Sequence, residues 1–112
     1  MSTAEAYEAG KAKTSLALKA FVAAETAGCP SIELCRLRLS AALLREAIAM
    51  REHELATDRT ILSMKGGADA IGRRLYNLRE HLAEMERCIA IEAGDLEHRA
   101  GLKLPTDGVL RV

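Results

Sequence analysis

An all-α protein of long helices packed side by side is what this sequence predicts, and three observations carry the prediction. The apolar supply is mostly Ala and Leu, with Tyr7, Phe21 and Tyr76 the only aromatics. Ala and Leu favour helix, and the β-branched and aromatic residues that favour strands are thin until the last few positions. Apolar residues recur three and four apart through long stretches, which is the period of a helix face. Clear breakers fall at Gly28-Cys29-Pro30 and Gly66-Gly67, leaving segments far longer than ordinary strands. The expected architecture is an antiparallel three-helix bundle, or a helical hairpin that dimerises to complete one. It occupies residues 1–101, with a short irregular C-terminal tail, extended or a weak hairpin, over 102–112.

The first helix opens at Ser2, whose spacing from Glu5 is that of a capping box. Ala, Leu and Lys then run to Ala27, with Gly10 the one weak spot. Ala9, Ala12, Leu16, Ala20 and Ala23 share a face, widened by Phe21 and Val22 near the end, and this is the expected packing face. Gly28 suits a left-handed cap, and Pro30 prevents the helix from continuing.

Ser31 is the expected N-cap of the second helix, with Glu33 placed against its positive dipole end. Leu34, Leu37, Ala41, Leu44, Ile48 and Leu55 form one row, in which Arg51 takes a place; Ile32, Cys35, Leu39, Leu43 and Met50 form a second row beside it. Two adjacent apolar rows are too wide for one neighbour, so this helix is expected to be central. Thr57, Asp58 and Thr60 compete for backbone hydrogen bonds and favour a break. Leu62 nevertheless falls on the first row, and the expectation is a continuous helix to Lys65 with Gly66-Gly67 as the corner.

The third helix carries the plainest pattern. Ile71, Leu75, Leu78, Leu82, Met85 and Ile89 step by four and three alternately, a heptad seam that calls for shallow-angle packing. Asp69 and Arg73 are suitably spaced for an ion pair. Gly94 marks the expected end, with one further turn open to Asp95–Arg99. In the tail, Leu102-Lys103-Leu104 and Leu110-Arg111-Val112 flank the turn residues Pro105-Thr106-Asp107-Gly108.

Composition narrows the function classes. The 112 residues carry sixteen basic and sixteen acidic side chains, a balance that argues against general affinity for phosphate backbones. No stretch approaches the roughly 18 apolar residues of a membrane span, and the polar, Ala-rich start lacks a signal-peptide layout. Three cysteines without a CxxC pair fit a reducing compartment, so a cytoplasmic location is expected.

Candidate chemistry is sparse. Folding back about Gly66-Gly67 brings His98 toward Cys35, with Cys29 and Asp95 at the same end; these residue types bind zinc, but the Cys29–Cys35 spacing is not that of a chelating pair. His53 lies between Glu52 and Glu54, yet neighbouring helical residues point about 100° apart and cannot converge on one ligand, so a solvated face is expected. Cys88 beside Arg87 has the elements of an activated thiol but no base. Lys65 to Arg74 resembles a phosphate loop only superficially: the Walker spacing is absent, and Asp69 would repel an anion. No catalytic, cofactor or metal residue is assigned.

The expected function is therefore a non-enzymatic protein–protein interaction module, an adaptor, assembly factor, chaperone or inhibitor, whose partner is another protein and which forms a homodimer. Leu75, Leu78, Leu82 and Met85, with Leu44 and Ile48 opposite, are the expected interface anchors. The alternative is a small nucleic-acid-associated regulator using a basic face of Arg36, Arg38, Arg45 and Arg51.

Overall fold

The computed structural model describes residues 2–99, and of these 91% are helical, with no strand among them. Expectations for the tail over 102–112 fall outside the described residues. Four helices follow one another: α1 (Thr3–Ala27), α2 (Ile32–Thr57), the short α3 (Arg59–Ser63) and α4 (Gly67–Arg99). α2 packs against both α1 and α4, while α1 and α4 make no extensive contact with each other. The central place expected for the second helix is the one it occupies.

Local chemistry sets the boundaries. Ser2 and Glu5 form the reciprocal capping box, with the Glu5 backbone N–H donating to Ser2 Oγ at 3.0 Å and the Ser2 N–H to Glu5 Oε1 at 2.8 Å. Gly28, at φ 65°, closes α1 in the left-handed conformation, and the Cys29 N–H reaches back to the Ala24 carbonyl at 2.9 Å. Ser31 precedes α2 as expected, but its side chain makes no capping bond. At the far end, α4 runs past Gly94 to Arg99.

The continuous helix expected to reach Lys65 is interrupted at Asp58. The Thr57 hydroxyl donates back to the His53 carbonyl at 2.7 Å, and Asp58 takes an extended conformation, φ −81° and ψ 96°. Its carboxylate then accepts the Ile61 N–H at 3.0 Å and so starts α3. Local capping thus outweighed the apolar row. Leu62, the residue that argued for continuity, is largely exposed, while Ile61 is half-buried. At the next corner Gly66 is left-handed, φ 76°. A Cβ on Gly67 would lie only 2.0 Å from the Ile61 carbonyl oxygen, so only glycine lets α3 rest on the first turn of α4.

The core is thin. Buried apolar residues are Ala24, Leu34, Leu37, Ala41, Ala42, Ile71 and Leu75, so alanine supplies three of the seven. Leu78, Leu82, Met85 and Ile89 continue the α4 seam as half-buried residues. The molecule extends 62 × 24 × 23 Å, a rod in which most side chains have solvent on one side.

Candidate interaction surface

The two contacts of α2 differ in chemistry. Toward α1 the helices approach closely at Gly10, where an added Cβ would lie 3.4 Å from the Glu46 Cα. Polar groups then fix the register. The Thr14 hydroxyl donates within 3.0 Å of the Gly10 carbonyl and 3.2 Å of the Ala42 carbonyl. Thr3 Oγ1 lies 2.9 Å from His53 Nδ1, and the Tyr7 hydroxyl donates to Met50 Sδ at 3.7 Å. His53 is therefore half-buried and bonded to α1, not on a solvated face as its charged neighbours implied. Nothing in the sequence paired Thr3 with it, because the partners lie fifty positions apart.

The face of α1 that meets α2 is also not the expected one. Gly10, Thr14, Ala17, Phe21 and Ala24 are half-buried or buried, whereas Ala12, Leu16, Ala20 and Ala23 are exposed and Ala9 is half-buried. The helix is turned by about one residue, roughly 100°. An alanine row buries little area per residue; placing Phe21 and the Thr14 hydroxyl at the contact was worth more.

Toward α4 the contact is apolar with charged edges. Leu75 and Ile71 are buried; Leu44, Ile48, Leu78, Leu82 and Met85 are half-buried. Ion pairs edge this contact, Arg45 to Glu86 at 3.0 Å and Arg79 to Glu52 at 2.6 Å. As numbers rise along α2 their partners fall along α4, so the helices run antiparallel.

The basic face is largely neutralised by its own chain. Arg36 bonds Glu33, Nε to Oε1 at 2.9 Å, and Arg45 holds Glu86. Arg51 bonds Glu54 at 2.6 Å with both side chains about a quarter exposed, which explains how an arginine sits in an apolar row. Arg38 is exposed, and no ion pair holds it among the described residues. The Glu33 carboxyl lies below its usual range because Arg36 hydrogen-bonds it.

Cys29, Cys35, Asp95 and His98 do not form a metal-holding group: among the described residues no cluster of three or more His, Cys, Asp or Glu does. All three cysteines are free thiols. Cys29 is distinct in that the Ser31 hydroxyl, and then its backbone N–H, favour the thiolate and lower the thiol's titration from its ordinary value. Beside the α3 corner, Arg51, Glu54, Ile61, Met64, Ile71 and Arg74 line a cleft of about 250 Å³. That is below the roughly 300–1,000 Å³ usual for small-molecule sites and suits a single apolar side chain.

The more extensive feature is apolar surface left in solvent. Leu16, Leu18 and Val22 on α1, Leu43 on α2, Leu62 and Met64 around α3, and Tyr76 and Ile91 on α4 are all exposed. No helix among the described residues is long and apolar enough to cross a membrane. Comparison with family models, with curated proteins and with solved structures finds no match to this chain.

Proposed function

We propose that this chain is a non-enzymatic helical interaction module, an adaptor, assembly factor, chaperone or inhibitor that presents apolar helix faces to another protein chain. The observation that carries the proposal is the imbalance between core and surface. Among the described residues seven apolar side chains are buried, three of them alanines, while eight large apolar side chains stay exposed. A helical rod with so little interior gains stability by covering those side chains. In this proposal the protein acts in a reducing compartment, the cytoplasm, where its free thiols are stable.

Nucleic-acid binding through Arg36, Arg38, Arg45 and Arg51 has weaker support, because three of the four already pair with carboxylates. The test is capture from native extract with the wild-type chain and with Leu43→Glu and Leu16→Glu as parallel baits, each checked for helicity. Protein retained in stoichiometric amount by the wild type and lost with either variant is the expected result. A pure chain that stays monomeric and retains nothing face-dependent would overturn the proposal. Retention of nucleic acid alone, released by modest salt, would replace it with the arginine reading.

A further inference from the structure

We infer that the uncovered face of α2 binds a second copy of this chain, the two α2 helices running antiparallel about a two-fold axis near position 45. The inference deepens the proposed interaction role and rests on it. Residues of α2 that meet α1 are Ala42, Glu46, Met50 and His53, and those that reach α4 are Arg45 and Glu52. At about 100° per residue, and with Leu44 and Ile48 included on the α4 side, these contact lines stand roughly 140° apart around α2, and the wider arc between them, on the side away from Arg45, is left over. Along that arc run Arg36, Ser40, Leu43, Ala47, Met50 and Glu54, stepping by four and three as a helix–helix seam does. Leu43, at its centre, is 51% exposed. Arg36 is exposed as well, while Ser40, Ala47, Met50 and Glu54 are half-buried, Met50 at the edge nearest Tyr7 and Glu54 at the edge nearest the α3 corner.

Self-complementarity selects a second copy as the occupant. Antiparallel pairing about position 45 sets Leu43 against the second copy's Ala47 and Met50 against the second copy's Ser40, large on small in each layer. It also sets Arg36 against the second copy's Glu54 at both ends, so the intrahelical pairs Glu33–Arg36 and Arg51–Glu54 meet with opposite charges facing. A closed two-fold interface requires one patch to complement itself, and this seam does so in shape and in charge.

The experiment is sedimentation equilibrium of the full chain at about 100 µM, where a micromolar Kd populates the dimer. The wild type is expected to run at twice its monomer mass. Leu43→Glu, at an exposed site, is expected to keep its helicity and dissociate the dimer at least tenfold, about the effect of a charge opposed by an apolar layer. Arg36→Glu alone and Glu54→Arg alone each bring like charges together and weaken self-association. An equimolar mixture of those two variants restores both opposite-charge pairs, and a mixed dimer is expected to form at near wild-type strength. That rescue does not depend on how well either variant folds alone relative to the wild type, because both chains must associate to show it. A wild-type monomer at this concentration overturns the inference and leaves the interaction role to the capture experiment. A wild-type dimer unmoved by Leu43→Glu, or a mixture without rescue, overturns this seam while the chain's apolar faces still account for the dimer.

Discussion

The two sides of α2 are held by different means. On the α4 side Ile71 and Leu75 are the buried residues of α4, with ion pairs at the edge of the contact. On the α1 side Ala24 is the one buried residue of α1, and glycine, threonine and histidine set the register. Burial energy grows with apolar area, whereas a typical hydrogen bond contributes only about 1 kcal/mol net. The α4 side is therefore expected to hold more of the stability, and the register of the α1 side is set by a few polar fits.

Breaking the strong side has the largest expected effect. Leu75→Ala should lower unfolding free energy by about 2–5 kcal/mol, read by urea denaturation, while Phe21→Ala on α1, half-buried, should cost clearly less. Equal losses would erase the distinction between the two sides. Next comes Gly67→Ala. With a Cβ 2.0 Å from the Ile61 carbonyl, α3 must shift, at a cost of about 1–3 kcal/mol. Faster amide exchange at Ile61 and Leu62, with α1 amides unchanged, is the specific readout.

On the weak side, Thr14→Val keeps the shape and removes the hydroxyl bonded across to α2; about 0.5–1.5 kcal/mol is expected. Gly10→Ala sharpens the contrast. At 3.4 Å from the Glu46 Cα the new methyl fits, and the gain in helix propensity, up to about 1 kcal/mol, should raise the melting temperature slightly. A fall would mean the α1 contact is tighter than these distances show.

The smallest effect concerns the corner that joins the weak side. The Cys29 thiol is held below its ordinary value by Ser31, so its alkylation should switch on at lower pH than that of a free cysteine. Ser31→Ala should move the switch upward. Since the folded value is depressed, thiolate formation favours the fold only as pH rises through that value, and fully only above the ordinary thiol value of about 8.5.

Much of this architecture was legible in the sequence, for identifiable reasons. The capping box at Ser2 and the stop at Gly28 were readable because capping is local chemistry. The α4 seam was readable because large apolar residues at heptad spacing leave one choice of face. Two expectations failed where energies were close. In α1 the apolar residues are mostly alanines spread around the helix, so a weak area preference could not fix the phase, and Thr14 and Phe21 decided it. At Asp58 a single row residue, Leu62, was weighed against three capping groups, and the caps prevailed. The pairing of the basic face was hidden for a third reason: Glu86, which holds Arg45, lies on another helix, and sequence spacing within α2 cannot reveal it.

The lack of extensive packing between α1 and α4 bears on how the molecule comes apart. With α2 as their shared support, either outer helix can leave without passing the other. α1, which contributes one buried residue where α4 contributes two, is the arm expected to detach first, and its departure would uncover the Ala42–His53 flank of a hairpin that still stands. Thermal opening should accordingly proceed in two steps of unequal size, the smaller one preceding and leaving α2 and α4 clasped.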